Sequence, residues 1–182
     1  RETASRVAGG AVAKAVLDQM GIDVIAYTIA SHGIKIKEPV TYEFAKENYR
    51  KNEINCPDLA LAEEMKKDIL KVKADGETAG GVIECIARGV PAGLGEPVFD
   101  KMNALLAHAV CSIGAIKGIE FGAGFGVADM LGAESNDEAY VDKATGKVRF
   151  KTNHAGGILG GITNGMPLRL RAAFKPTPSI AK

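Results

Sequence analysis

The stretch Asn153-His154-Ala155-Gly156-Gly157-Ile158-Leu159-Gly160-Gly161 is the part of the chain on which the reading of the fold turns. Glycine clusters at 156–165, between apolar runs, and two further clusters lie at 80–95 and 114–132. The chain has 22 glycines in 182 residues, above the average share of roughly 7%. Glycine-rich turns inside a folded core do one of two things. They permit positive φ, or they let a backbone approach a ligand closely.

Working outward, Met166 to Phe174 reads as a strand, with Leu168 and Leu170 alternating with Arg169 and Arg171. The alternating arginines read first as a solvated strand face, and second as a source of positive potential. Upstream, residues 133–152 are polar and loop-like. Residues 117–121 give a short strand. Val98 to Ile113 carries the best helical spacing, through Met102, Leu105, Leu106, Ala109 and Val110. Gly81 to Val90 reads as a strand through Val82, Ile83, Cys85 and Ile86.

Pro57-Asp58 opens a helix, since proline suits the first helical position and Asp58 the positive end of the dipole. Leu59, Ala62, Met65, Ile69 and Leu70 form its apolar face. Residues 41–56 are charged and poorly periodic, and read as a surface excursion. Residues 22–30 are β-branched and aromatic and read as a strand, and Ile34 and Ile36 as a second short strand. Residues 4–20 make a helix weakened by Gly9 and Gly10, whose bareness also suits close packing of another element, as in a central helix.

Helices and strands alternate, yet a dinucleotide fold lacks its fingerprint. Gly122-Ala123-Gly124-Phe125-Gly126 imitates one, but no strand–helix–strand unit follows it.

Composition narrows the class. The chain is 46% hydrophobic and 25% charged, with a net charge of +1. It is expected to be a single domain over 1–182. A generalised polyanion binder would be more basic, so nucleic acid is not expected as a partner. Cys56, Cys85 and Cys111 are an odd, widely spaced set, which argues against a disulfide framework and a zinc knuckle and for a reducing cytoplasm. No apolar stretch approaches the roughly 18 residues of a membrane span.

Three stretches resemble the chorismate synthase family: Arg1-Glu2-Thr3-Ala4-Ser5-Arg6-Val7, the run from Gly80 to Gly124, and the opening stretch continued to Lys175-Pro176-Thr177. Their order and spacing match as well. The resemblance implies an α+β fold, with helices sandwiched between two antiparallel β-sheets, and a homotetramer. It implies a lyase of aromatic amino-acid biosynthesis that converts 5-enolpyruvylshikimate-3-phosphate into chorismate and phosphate, with reduced FMN required. NADPH as the source of flavin reduction is left open.

By motif match, the flavin contacts fall on Gly114, Ala115, Gly160, Lys175, Pro176, Thr177, Pro178 and Ser179, and the substrate anion on Arg1. Glycines 156, 157, 160 and 161 are expected to admit the planar flavin. Lys175, Thr177, Ser179 and nearby N–H groups are expected to meet its phosphate. Pro178 replaces a small hydroxyl residue and removes a backbone donor.

The family's two acid–base histidines lie upstream of the Arg-Glu-Thr-Ala motif, so no residue of this chain is assigned a catalytic role, and none a metal. His32 reads as a turn residue, His108 as a surface or packing histidine. His154 reads as a stiffener of the flavin loop by hydrogen bonding rather than as a proton donor. The chain alone is expected to be catalytically incomplete. The alternative reading is an FMN- or phosphate-binding scaffold module.

Overall fold

A computed structural model describes residues 2–180. Among these, helices and antiparallel strands are mixed along the chain, so the class is α+β. The main sheet has five strands in the order β2-β1-β3-β9-β4. They are β1 (Asp23–Ser31), β2 (Ile34–Lys35), β3 (Gly81–Arg88), β4 (Ile116–Phe121) and β9 (Leu168–Phe174). β1 and β2 pair antiparallel around Ser31–Ile34. Bonds at the two ends of β4 and β9 run in opposite senses, Gly122 N–H to Arg169 O (3.0 Å) and Lys175 N–H to Ala115 O (2.9 Å), so this pair is antiparallel too.

Two hairpins stand apart from that sheet: β5 (Ala139–Val141) with β6 (Val148–Phe150), and β7 (Ile158–Leu159) with β8 (Ile162–Thr163). The helices are α1 (Glu2–Gln19), α2 (Tyr42–Asn48), α3 (Leu59–Ala74), α4 (Met102–Cys111) and the single turn α5 (Gly132–Ser135). No helix among the described residues is long and apolar enough to cross a membrane.

The chain forms two compact units. The first comprises the chain up to Val24, Ile86–Ile113 and Glu120–Leu170. Its core is Ile22, Val90, Ile158 and Leu168, with Leu17 of α1, Met102 and Leu106 of α4 and Phe121 of β4 packed against it. The second comprises Ile25–Cys85, Gly114–Ile119 and the chain from Arg171. There Ala62 and Met65 of α3 pack with Cys56 against Ile34, Ile36 and Ile54. Met65 is fully buried, which stabilises this unit by about 1.5–3 kcal/mol. In β1, Tyr27 donates its hydroxyl to the buried carboxylate of Glu84 on β3.

Local chemistry explains most boundaries. α3 begins where Asp58 caps it, accepting from Leu61 N–H at 3.0 Å. Pro57 is therefore not the first helical residue but the one before the cap, and its side chain is fully buried. His32, at φ 45°, and Gly33 make the turn between β1 and β2, as expected. The His32 ring lies 2.8 Å from Asp68 of α3.

Four further stretches differ from the sequence expectation. Residues 41–56 contain α2 and a 3-10 turn over Tyr49–Lys51, because Thr41 caps the helix and Ala45 and Tyr49, four apart, are both buried. Residues 133–152 contain the β5–β6 hairpin. α4 starts at Met102 rather than Val98, because Met102 N–H bonds Gly161 O at 2.7 Å and Val98 and Phe99 lie exposed before it. α1 has no buried residue, and a Cβ on Gly9 or Gly10 would meet no atom within 4 Å. Those glycines therefore mark no close packing among the described residues.

Candidate cofactor site

In the second unit, Gly114 and Ala115 form the turn from α4 into β4. Ala115 takes φ 71°, a left-handed conformation that costs a residue with a Cβ about 1–2 kcal/mol. Its carbonyl is engaged by Lys175 N–H. That bond continues the β4–β9 ladder past both strand ends and sets the two motifs side by side. A Cβ placed on Gly114 would meet nothing within 4 Å, so the backbone there is open to approach.

Residues 175–180 are exposed. Thr78 Oγ1 donates to Thr177 O at 2.7 Å, and Ile180 N–H bonds Pro178 O at 3.1 Å. Among the described residues the Lys175 ammonium makes only a long bond, 3.4 Å, to Pro176 O. An ammonium has three donors, so this leaves capacity for an anion.

In the first unit, Gly160 and Gly161 are the two-residue turn of the β7–β8 hairpin, at φ 60° and 89°. The four glycines of this loop do not share one job. A Cβ on Gly156 would strike Gly122 and lie 2.8 Å from Arg169 O, and one on Gly157 would lie 2.7 Å from Pro167 O. One on Gly161 would strike the Lys101 side chain. Close approach at these three is to the chain itself, which corrects the expectation that all four admit a ligand. Only Gly160 faces open space, with nothing within 4 Å.

The base of that loop is held by a residue the sequence did not single out. Asp137 is buried, and its carboxylate accepts from Thr152 Oγ1 (2.6 Å), His154 N–H (2.7 Å) and Ala155 N–H (2.9 Å). Burial works to raise its pKa. The bonds from Thr152, Ala155 and His154, with the charge of a protonated His154 ring, outweigh that and hold it below the ordinary carboxylate value. His154 Nδ1 is buried without a hydrogen bond, 3.5 Å from Asp137 Oδ1. His154 thus belongs to the loop's internal structure, in line with its reading as a stiffener, although its backbone N–H rather than its ring makes the bond. The only sequence signal for Asp137 is an acid in a polar segment, which by itself selects nothing.

Arg1 lies outside the described residues. Arg169 and Arg171 are half-buried on β9, where Leu168, Leu170 and Ala172 face inward, so theirs is not a fully solvated face. His108 is exposed on α4, as expected. Among the described residues no group of three His, Cys, Asp or Glu side chains could hold a metal ion.

The family model described as chorismate synthase matches residues 1–182, the whole chain. The chain belongs to the chorismate synthase family. It is 67% identical to the chorismate synthase of Acetivibrio thermocellus over 100% of its own length and 46% of the relative's. It is 50% identical to that of Methanocella arvoryzae, again over its full length and 48% of the relative's. The chain thus spans about half the length of the curated relatives it matches. A crystal structure of a chorismate synthase superposes with a TM-score of 0.90 at 37% identity, covering 98% of this chain and 56% of that one. The fold is therefore that of the family, a mixed α+β fold of helices and antiparallel sheets.

Proposed function

We propose that the protein carrying this chain is a chorismate synthase that converts 5-enolpyruvylshikimate-3-phosphate into chorismate and inorganic phosphate by 1,4-elimination, with reduced FMN. The observation that carries this reading is the Ala115–Lys175 backbone bond. It joins, at one place in the second unit, two motifs that the sequence resemblance leads us to expect at the flavin.

The residues fit such a cofactor. Gly114 offers backbone without an obstructing neighbour, and Gly160 does the same in the first unit. Lys175, Thr177 and Ser179 supply an ammonium, two hydroxyls and the N–H groups of Thr177 and Ser179 to a phosphate, on an exposed run. Pro176 and Pro178 contribute no N–H, so the donors fall on alternate residues. The ladder bond to Ala115 fixes where that run begins.

When bound, reduced FMN supplies an electron to the substrate and takes up the ring hydrogen, so that phosphate leaves with no net redox change. The chain's part is to bind and orient. Arg1, a guanidinium suited to paired oxygens, is proposed to face the substrate's anionic groups. The working form is proposed to be a cytoplasmic homotetramer.

Product stoichiometry tests the reading. Chorismate and phosphate should appear in equal amounts, and only when reduced FMN is supplied. Phosphate release without chorismate, or turnover indifferent to flavin, would overturn it.

A further inference from the structure

Asp137 takes no part in the chemistry above, yet it is among the most constrained side chains of the first unit. Its side chain is 1% exposed. Three donors from Thr152, His154 and Ala155 converge on its two oxygens. Buried carboxylates are costly unless hydrogen-bonded, and this one is fully supplied.

The segment it gathers is held from the other side as well. His154 O accepts from Ala123 N–H at 2.8 Å, and Gly156 O accepts from Arg169 N–H at 3.1 Å. Asn153 Nδ2 bonds Pro167 O at 2.9 Å. Residues 152–156 are therefore a pinned base. The β7–β8 hairpin rises from it with Gly160 in its turn. That hairpin has strands of two residues each; Leu159 and Ile162 on it are exposed, while Ile158 and Thr163 are buried. So short a hairpin does not order itself. Its position is set by that base together with the bonds of Gly161 O to Met102 N–H (2.7 Å) and of Thr163 to Gly93 and Leu94 (2.8 and 2.9 Å).

We propose that Asp137 is a positioning residue for the cofactor: by gathering Thr152, His154 and Ala155 it fixes the base of the hairpin and with it one of the holds that set the place of Gly160 against the flavin. This inference rests on the proposed function. It assigns the carboxylate to flavin affinity and not to the chemical step.

The test uses the complete protein with Asp137→Asn and, separately, Thr152→Val. Asp137→Asn removes the charge and leaves one oxygen for three donors. Thr152→Val removes a single donor and keeps the charge. Two quantities are read: amide hydrogen exchange at His154 and Ala155, and the FMN concentration giving half-maximal turnover against kcat at saturating FMN.

For Asp137→Asn both amides should exchange faster, and half-saturation should rise about tenfold, the worth of one charge-assisted bond, while kcat at saturation stays near wild type. Thr152→Val should move half-saturation the same way by less, and it decides the matter if Asp137→Asn does not fold. A folded variant with faster exchange but unchanged half-saturation would overturn the proposal, as would a fall in kcat with half-saturation unmoved. Wild-type protein that shows no dependence on FMN would instead sink the functional reading itself.

Discussion

Lys175 donates its backbone N–H to the carbonyl of Ala115 at 2.9 Å. The bond lies just past the ends of β4 and β9. It carries the sheet's register into the loops, so the turn after α4 and the run after β9 are fixed with respect to each other. Ala115 needs φ 71° to present that carbonyl. Left-handed backbone in a residue with a Cβ persists where surrounding structure dictates it, and such positions concentrate at binding sites.

The Lys175 side chain is separable from that backbone bond. Lys175→Ala keeps the ladder and removes only an exposed ammonium. Thermal stability should stay within about 0.5 kcal/mol of wild type, the usual range for surface changes. FMN affinity, read by flavin absorbance, should fall about tenfold, as for a lost charge-assisted bond to a phosphate. Unchanged affinity would remove Lys175 from the cofactor's phosphate.

Gly122 and Gly114 make a contrasting pair. Gly122 has φ 57°, and a Cβ there would collide with His154 O and with Gly156. A Cβ on Gly114 meets nothing. Gly122→Ala should lower stability by at least about 2 kcal/mol, combining left-handed strain with a backbone clash. Gly114→Ala should leave the melting temperature near wild type and weaken FMN binding. A tolerated Gly122→Ala would mean that the 122–156 contact is looser than described.

Cys85 should give the protein an alkaline limit. Burial, with the neighbouring Glu84 charge, pushes its thiol up from 9.0 to about 11. In the unfolded chain the thiol loses its proton near pH 9 while the folded one keeps it. The unfolded state then binds fewer protons, so stability falls as pH rises from about 9 towards 11. Denaturation curves at stepped pH should show this slope, and Cys85→Ala should flatten it. At pH 8 a thiol reagent should reach exposed Cys111 well before buried Cys56.

Asp58 caps α3 through Leu61 N–H. Asp58→Ala should cost about 1 kcal/mol, measured by denaturant unfolding. No loss would show that water replaces the cap without penalty.

The elements legible in the sequence were those whose burial is periodic. β9 alternates Leu168, Leu170 and Ala172 inward with Arg169 and Arg171 between them, and its boundaries follow from that pattern. α3 announced itself through Asp58 and the spacing of Ala62 and Met65. α2 did not, since only Ala45 and Tyr49 of its neighbourhood reach the interior. The β5–β6 hairpin exposes Tyr140, Val141 and Val148 together, so no alternation marked it.

For the candidate site, motif resemblance named Gly114, Ala115, Gly160 and the run from Lys175. It did not separate the glycine facing open space from those pressed on the chain. Nor did it find Asp137. That carboxylate's three donors lie 15 to 18 residues away, and only the folded loop brings them to it.

The most direct measurement is an anaerobic titration of the complete protein carrying this chain with FMN, followed by 5-enolpyruvylshikimate-3-phosphate, watching flavin absorbance and the appearance of chorismate. Saturable flavin binding is expected, then chorismate formation on adding substrate to the reduced complex. Absence of flavin binding, or a bound reduced flavin that never yields chorismate, would contradict it.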